Sequence, residues 1–294
     1  MKHAMRWLSL ILIAVALAAC QRRDSAAPSI PETPVTRAAD AATSPVGSLA
    51  DLPTSSTLVH VPQASLKALG DPQFRRFRMM MVREQISSDG ARDGREPIRD
   101  PRVLEAMRMV PRHEFVQSSI RRYAYIDQPL EIGYGQTISQ PYIVALMTEL
   151  LQPKAEDRIL EIGTGSGYQA AVLALLVKEV YTIEIVEPLA KRAEETLRRL
   201  GYDNVHVMAG DGYRGWPDKA PFDGVIVTAA PERIPQPLVD QLKKGGWMVI
   251  PVGSRFSQEL LVLRKVDKGV ERVTVIPVRF VPMVGEVQKE EKKK

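Results

Sequence analysis

The sequence has only one cysteine, Cys20, in 294 residues. A single cysteine excludes an internal disulfide and a zinc centre built from several thiolates. Histidines are also few: the four of them are scattered along the chain, and no HExxH motif or other paired-ligand spacing is present. The sequence therefore gives no sign of a metal site, and we expect none.

A strong charge of one sign is likewise missing, since the formal net charge is only +5 and part of it lies at the two chain ends. Nucleic-acid-binding proteins concentrate basic residues on one element or interleave them with aromatic residues. Here the aromatic content is 6%, and the clearest basic clusters, Arg75–Arg78 and Arg121–Tyr123, are short. We interpret these clusters as solvated helix faces and expect no nucleic-acid partner.

The chain begins with a positively charged segment and an apolar run, Leu8–Ala18, that is shorter than the ~20 residues of a membrane-spanning helix. Leu17–Cys20 (LAAC) follows and resembles the lipobox of bacterial lipoprotein precursors, in which the cysteine is diacylated and becomes the first mature residue. The alternatives are an ordinary signal peptide with a chance cysteine and a core helix with a buried cysteine. The charged start and the small residues before the only cysteine favour lipidation. We therefore predict a lipoprotein-type signal peptide over residues 1–19 and a lipid on Cys20.

Residues 20–70 are rich in alanine, proline, serine, threonine and aspartate. Such a segment buries too little apolar surface to offset its ordering entropy. We predict a disordered tether here, a folded domain over residues 71–288 and a frayed, charged tail over residues 289–294. By the same resemblance to lipoproteins, Gln21 implies the periplasmic side of the outer membrane, with the lipid anchor as the only membrane contact. The alternative is a cytoplasmic protein whose signal is not used.

Apolar periodicity predicts three helices at the start of the folded domain, followed by alternating strands and helices. The early helices are predicted over Phe74–Ile86, Arg102–Val110 and Tyr142–Leu151. The later strands are predicted over Arg158–Ile162, Glu179–Ile185, Asn204–Met208, Phe222–Thr228 and Gly246–Pro251, with helices over Gln169–Val177, Pro188–Leu200 and Pro237–Lys243 and a closing β hairpin over Leu260–Val266 and Val270–Val281. Repeated strand–helix units imply a mostly parallel, doubly wound sheet with right-handed crossovers. We therefore predict a Rossmann-like α/β fold with ligands at the carboxyl ends of the strands.

The segment Glu161–Tyr168 (EIGTGSGY) connects the first of these strands to its helix. Alternating glycines let a ligand approach bare backbone close to a helix N-terminus. Dinucleotide sites use G-x-G-x-x-G, whereas this loop has an acidic residue followed by glycines at every second position. A carboxylate at the strand end suits a ligand without a phosphate, which favours a nucleoside with a zwitterionic tail, S-adenosylmethionine. A glycine turn alone is weak support for that cofactor.

Acidic residues also end the next two strands. Glu184 lies about 20 residues beyond the glycines, where a carboxylate can accept both ribose hydroxyls. Asp211, between two glycines, could accept from an adenine amino group, and the small residues Thr228–Ala230 after the fourth strand leave room for a ligand. Any one of these acids could equally be a helix cap or a solvated side chain. Three acids at three consecutive strand ends favour a site for a cofactor with a positive sulfonium.

From about Phe74 to Val287 the sequence resembles the protein-L-isoaspartate (D-aspartate) O-methyltransferase family. The matching runs are Asp100–Met107, Val110–Val116, Ile132–Met147, Ile159–Ala171, Asn204–Trp216 and Phe222–Gly253. Generic methyltransferases share the glycine loop but lack Gly135–Pro141 (GQTISQP), which resembles this family's active-site loop. One departure is Gly90–Ile98, which is longer than the family's usual connection and is predicted to be a surface loop.

The resemblance implies the S-adenosylmethionine-dependent methyltransferase fold, S-adenosyl-L-methionine as cofactor, and isoaspartyl-containing proteins and peptides as substrates. It makes Ser139 the catalytic residue. The cofactor-binding residues that it implies are Thr137, Ile138 and Gln140 in the active-site loop, Glu161, Gly163, Thr164, Gly165 and Gly167 in the glycine loop, Glu184 and Ile185 at the ribose, and Asp211 and Gly212 at the adenine. We also expect a monomer.

The chemistry of this reaction agrees with the lack of a catalytic triad. The acceptor is an α-carboxylate that ionises near pH ~4, and the donor methyl is already electrophilic, so the enzyme must only place the two within ~3–3.5 Å in line. No G-x-S-x-G surrounds Ser139, so we expect it to position the carboxylate by a hydrogen bond rather than act as a nucleophile. The alternative for Ser139 is a cap on the helix at Tyr142. The methyl ester would then collapse to a succinimide and hydrolyse partly to aspartate, which amounts to repair.

Two other functions remain open at this point. One is a methyltransferase for a different small-molecule or envelope carboxylate, which would bind the donor without selecting isoaspartyl groups. The other is a lipid-anchored binding protein of the same fold without turnover.

Overall fold

The computed structural model describes residues 58–59, 61–63, 66, 70–87 and 95–286. The predicted signal peptide, Cys20, the charged tail and most of the predicted tether lie outside these residues. Within the tether as predicted, Leu58, Val61 and Leu66 pack against the core, and the Val59 N–H donates to the Leu175 carbonyl at 2.8 Å. The packed domain therefore begins earlier than residue 71, because these apolar side chains find a surface to bury against.

Three helices precede the main sheet: α1 (Pro72–Met80), α2 (Pro101–Met109) and α3 (Pro141–Leu151). A π-helical turn, Met81–Ile86, extends α1, so the predicted first helix covers both pieces. An aspartate caps each of the first two helices, with Asp71 accepting from the Gln73 N–H at 2.9 Å and Asp100 from the Arg102 N–H at 2.8 Å. An N-cap aspartate followed by proline thus sets both helix starts. The start of α2 agrees with the prediction, whereas α1 begins at Pro72, two residues before the predicted Phe74. Short 3₁₀ turns, Arg112–Phe115 and Ser118–Tyr123, follow α2.

A small antiparallel hairpin lies between these helices: β1 (Leu130–Gly133) pairs with β2 (Gln136–Ile138). The sequence did not predict it, because the strands are short and the turn consists of three residues with positive φ, Gly133, Tyr134 and Gly135. The hairpin places Thr137 and Ile138 on a strand rather than in the irregular loop that was expected.

The main sheet has seven strands in the order β5-β4-β3-β6-β7-β8-β9. They are β3 (Arg158–Ile162), β4 (Glu179–Glu184), β5 (Val205–Ala209), β6 (Phe222–Val227), β7 (Leu242–Gly253), β8 (Gln258–Lys265) and β9 (Val270–Val278). Strands β3 to β7 pair in parallel, and β8 and β9 add an antiparallel hairpin beside β7. The predicted Rossmann-like α/β fold and its closing hairpin are confirmed.

Both faces of the sheet are buried, as parallel sheets require. Along β3, Ile159 belongs to a core shared with the N-terminal helices, whereas Leu160 and Ile162 belong to a second core on the opposite face. The connecting helices are α4 (Tyr168–Ala174), α5 (Glu187–Leu200) and α6 (Gln236–Asp240). Among the described helices none is long and apolar enough to cross a membrane.

Two helix ends differ from the predictions. Helix α4 stops at Ala174 instead of Val177, because the Asn204 amide donates to the Ala174, Val177 and Lys178 carbonyls at 2.9, 3.2 and 3.3 Å and satisfies them outside a helix. Helix α6 stops at Asp240, and β7 begins at Leu242, which pairs with Phe222, rather than at Gly246. Both boundaries depend on contacts with residues distant in the sequence.

Candidate functional site

A pocket opens at the carboxyl edge of the parallel strands, where the ends of β3, β4, β5 and β6 meet. It holds about 580 Å³ of free space including its mouth, and we call it the inner pocket. Its lining residues come from the β1–β2 hairpin, the strand ends and the segment after β9: Gln136, Thr137, Ile162, Gly163, Gly165, Glu184, Ile185, Gly212, Thr228, Ala229 and 281–284.

The glycine loop forms the wall of the inner pocket with bare backbone. Gly163, Gly165 and Gly167 have φ of +96°, +54° and +88°, a region that L side chains rarely adopt. At Gly163 a Cβ would also collide with the Thr228 hydroxyl, which donates to the Gly163 carbonyl at 2.7 Å. Glycine is therefore required at this position both by the backbone conformation and by the close approach of β6.

Glu184 ends β4 with its carboxylate at the pocket. One oxygen accepts from the Gly165 N–H at 2.8 Å, and the other accepts from the Val186 N–H at 2.9 Å. Each oxygen keeps a lone pair for a further donor. The carboxylate is thus held in place by backbone and can still receive hydroxyl groups from a ligand in the pocket.

Asp211 lies at the end of β5, behind the lining formed by Gly212. Its Oδ1 accepts from the Tyr213 N–H at 2.9 Å and its Oδ2 from the Glu286 N–H at 2.6 Å. A Cβ on Gly285 would lie 2.5 Å from Oδ2, so the chain after β9 passes directly against this carboxylate. Asp211 therefore holds the C-terminal segment over the pocket.

Glu161 is fully buried on β3, and neither of its carboxylate oxygens has a hydrogen-bond partner among the described residues. Burial raises its pKa to about 8, and the charge of Glu184 raises it further. Buried polar atoms without partners are uncommon in folded proteins. This orphaned acid beside the glycine loop fits a ligand that brings a cationic donor.

Ser139 is half-buried between β2 and α3, and its hydroxyl has no hydrogen-bond partner among the described residues. The N-cap residue of α3 is Gln140, without a side-chain cap, and the Tyr142 N–H donates to Asp127 Oδ1 at 2.8 Å. The alternative that Ser139 caps this helix is therefore wrong. Its hydroxyl is available to a bound molecule.

The buried Arg112 and the half-buried Asp127, which the sequence did not single out, hold the Ser139 segment. Arg112 donates to the Ser139 carbonyl at 2.7 Å and to the Ala124 carbonyl at 2.7 Å. Asp127 accepts from the Gln140 amide at 2.7 Å as well as from Tyr142. Arg112 belongs to the conspicuous run Val110–Val116, whereas nothing in the sequence around Asp127 marks its role.

A larger groove lies on the other side of Ser139, with about 1070 Å³ of free space including the open solvent at its mouth. We call it the outer groove, and it is lined by Pro129, Thr137, Ser139, Gln140, Ile143, Thr228 and 277–281. A third, smaller space between Ser139 and the glycine loop shares Thr137 and Thr228 with both cavities. We call this space the junction, because it brings the inner pocket and the outer groove together beside Ser139.

Most of the predicted site residues meet at these three cavities. The inner pocket is lined by Thr137, Gly163, Gly165, Glu184, Ile185 and Gly212, and the junction is lined by Ile138, Ser139 and Thr164. Gln140 lines the outer groove, whereas Glu161, Gly167 and Asp211 lie behind the lining. The sequence missed Gln136 and the segment 281–284, which is apolar and carries no motif.

In the part of the chain that the structure describes, no group of three or more His, Cys, Asp or Glu side chains could hold a metal ion.

The mostly parallel seven-stranded sheet, the glycine loop after β3 and the carboxylate at the end of β4 together define a Rossmann-like S-adenosylmethionine-dependent methyltransferase. Within that class, residues 92–288 match the family model described as protein-L-isoaspartate(D-aspartate) O-methyltransferase. The chain therefore belongs to the protein-L-isoaspartate O-methyltransferase family.

Close relatives agree with this assignment. The chain is 56% identical over 220 residues to protein-L-isoaspartate O-methyltransferase 2 of Syntrophobacter fumaroxidans, which covers 73% of this chain and 89% of that protein. It is 58% identical over 193 residues to protein-L-isoaspartate O-methyltransferase 2 of Nitrosococcus oceani. This match covers 65% of this chain and 88% of that protein. A solved structure of a protein-L-isoaspartate O-methyltransferase matches with a TM-score of 0.63 and 27% identity over 74% of this chain and 69% of its own.

Proposed function

We propose that the protein transfers a methyl group from S-adenosylmethionine to the α-carboxylate of L-isoaspartyl residues, and of D-aspartyl residues where these occur, in damaged proteins. The observation that carries this proposal is the junction, where the inner pocket and the open outer groove meet beside a serine hydroxyl that has no partner among the described residues. The first cavity suits the donor, and the second leaves room for a polypeptide.

The residues of the inner pocket fit the methyl donor. Glu184 can accept the ribose hydroxyls with its remaining lone pairs, and the bare backbone at Gly163 and Gly165 lets the methionine part approach closely. Glu161, buried behind the lining beside the glycine loop, would favour the donor's ammonium group through its charge rather than by direct contact. When bound, S-adenosylmethionine supplies an electrophilic methyl group. We place its adenine near Gly212, with Asp211 fixing the covering segment and keeping lone pairs for the amino group.

Ser139 and its supports would act on the acceptor. The acceptor carboxylate is already ionised at neutral pH, so no general base is required. The free Ser139 hydroxyl would donate a hydrogen bond to this carboxylate and hold it toward the junction. Arg112 and Asp127 would contribute indirectly, because they fix the backbone on both sides of the hydroxyl. Catalysis then consists of placing two reactive groups in line.

The assay that tests this function uses the full-length protein, labelled methyl donor and a pair of peptides that differ only in an isoaspartyl or a normal aspartyl linkage. We expect label in the isoaspartyl peptide alone. Equal labelling of both peptides would favour a methyltransferase with a different carboxylate acceptor. No labelling, together with no calorimetric binding of the donor or its demethylated product, would favour a binding protein of the same fold.

For the location of the protein, we propose a lipid on Cys20 and the periplasmic side of the outer membrane. The support is the sequence around Cys20, where a charged start, an apolar run and small residues precede the only cysteine.

A further inference from the structure

The lining of the outer groove is neutral except for one residue. Its described lining residues are prolines, aliphatic and aromatic side chains, neutral polar side chains, and a single charged residue, Arg279. Arg279 is exposed and makes no hydrogen bond or ion pair with another described residue. The groove therefore presents one uncompensated positive charge to whatever enters it.

The backbone that carries this arginine is held firmly. The neighbouring Phe280 N–H donates to the Gln258 side-chain carbonyl at 2.7 Å, and the Gln258 amide donates back to the Phe280 carbonyl at 3.2 Å. Gln258 is itself buried, and the next carbonyl, that of Val281, accepts from the Ala230 N–H at 2.8 Å. The guanidinium thus extends from a fixed point, which lowers the entropy cost of using it for recognition.

Arg279 lies away from the reacting centre. The junction, where Ser139 faces the glycine loop, is lined by Thr137 and Thr228 but not by Arg279, and the inner pocket does not include Arg279 either. Because Arg279 lines the groove but not the junction, its side chain is placed to meet a residue that flanks the modified one. It is not placed to meet the carboxylate that receives the methyl group.

We propose that Arg279 selects polypeptide acceptors that carry an acidic side chain close to the isoaspartyl residue, by pairing with that second carboxylate in the outer groove. This inference rests on the proposed function and adds a sequence preference to it. Because the arginine is exposed, the effect should be that of an exposed ion pair, a change in KM on the order of threefold. Raising the salt concentration should reduce the effect.

The test uses isoaspartyl peptides with a single glutamate at successive positions on either side of the modified residue, each matched with a glutamine peptide. For the wild-type protein we expect a lower KM for the glutamate peptide at one or more positions, with equal kcat. Arg279→Gln should remove this preference, and Arg279→Lys should retain part of it. Lys268→Gln, which removes an exposed positive charge at the other end of β9, should leave the preference unchanged.

Three outcomes would overturn the proposal. The first is equal KM values for glutamate and glutamine peptides in the wild-type protein, and the second is an unchanged preference in Arg279→Gln. The third is an equal loss of kcat on both peptides in Arg279→Gln, which would place the arginine on the reacting carboxylate. Failure of the proposed function would look different, because the wild-type protein would then methylate none of the isoaspartyl peptides.

Discussion

At the scale of single residues, the site combines a free hydroxyl with acids in contrasting surroundings. The Ser139 hydroxyl has no partner among the described residues, Glu184 is held by two backbone N–H groups, and Glu161 is buried without a donor. Glu184 is ready to accept neutral hydroxyls, whereas Glu161 needs a cation to compensate its ionised form. These differences allow separate predictions for donor binding, turnover and stability.

Replacing Ser139 by alanine should lower kcat on isoaspartyl peptides on the order of 10²-fold, the usual cost of removing one hydrogen bond formed in the transition state. The dissociation constant of the donor should hardly change, because Ser139 does not line the inner pocket. Steady-state kinetics and calorimetry measure the two quantities, with Ser118→Ala on an exposed turn as control. A large loss of donor affinity would contradict the positioning role.

Replacing Glu184 by glutamine should weaken donor binding by about tenfold or more, because a hydrogen bond to a charged acceptor contributes about 1.5–3 kcal/mol. Part of the loss of donor affinity would be indirect, because the Gly165 N–H, which also donates to this carboxylate, would lose its charged acceptor. Calorimetry measures the dissociation constant, and Glu195→Gln on the exposed face of α5 is the matched control. Unchanged affinity would show that the ribose is held elsewhere.

Glu161 should make the stability of the ligand-free protein depend on pH. Its pKa rises from 4.5 to about 8 on folding. Between these values the folded state keeps a proton that the unfolded state has released, so the free energy of unfolding falls as the pH rises through this window. Glu161→Gln should therefore stabilise the ligand-free protein on the order of 1–3 kcal/mol at pH ~7.5, and by less at pH ~5.

Urea unfolding at the two pH values measures this difference, and calorimetry should show weaker donor binding by the same variant. A substitution that raises stability and weakens donor binding is expected when the original residue serves binding rather than stability. An equal effect on stability at both pH values would show that Glu161 is not protonated in the folded, ligand-free protein.

At the scale of elements, the position of Ser139 depends on Asp127, which joins the start of α3 to the segment before β1. Asp127 accepts from Tyr142 at 2.8 Å and from the Gln140 amide at 2.7 Å, and it forms an ion pair with Arg95 at 2.8 Å. Asp127→Asn should reduce kcat/KM by about tenfold through a loosened loop, with donor affinity preserved. Asp203→Asn, an exposed aspartate beyond α5, is the control. Unchanged kcat/KM would show that the loop does not need this anchor.

The sequence predicted the elements whose signal is local. Strand β3 has the predicted bounds, Arg158–Ile162, because a short apolar run between turn signals is typical of a buried strand and too short for a helix. The aspartate–proline start of α2 at Asp100 is equally local. The end of α4 could not be predicted, since it depends on the amide of Asn204, 30 residues from Ala174.

The same distinction holds for the candidate site. The glycine loop and Glu184 carry a recognisable spacing, so their shared position at one sheet edge followed from the parallel topology. Other features follow only from tertiary contacts: the segment 281–284 that covers the pocket, the role of Asp127 as an anchor, and the hydrogen bond from the Glu286 N–H to Asp211. The pocket-lining groups with a recognisable spacing could be predicted from the sequence, whereas the groups that shape and close the pocket could not.

At the scale of the whole molecule, the proposed lipid anchor is a separate claim from the catalytic one. Cys20→Ser should abolish incorporation of a radiolabelled fatty acid into the protein in bacterial cells, because no other thiol is present. Methyl transfer by the variant should be unaffected, since the described domain contains all the residues assigned to the site. Fatty-acid labelling that persists in the variant would contradict the lipid on Cys20.

The proposed activity of the molecule is the repair of isoaspartyl linkages through a methyl ester on the α-carboxylate. The most direct measurement is a mass-spectrometric time course of an isoaspartyl peptide incubated with the full-length protein and S-adenosylmethionine. We predict that the methyl ester forms first, that it converts to the succinimide, and that the normal aspartyl peptide then accumulates. An isoaspartyl peptide that stays unmodified, or a methyl ester that forms equally on the aspartyl peptide, would contradict the account.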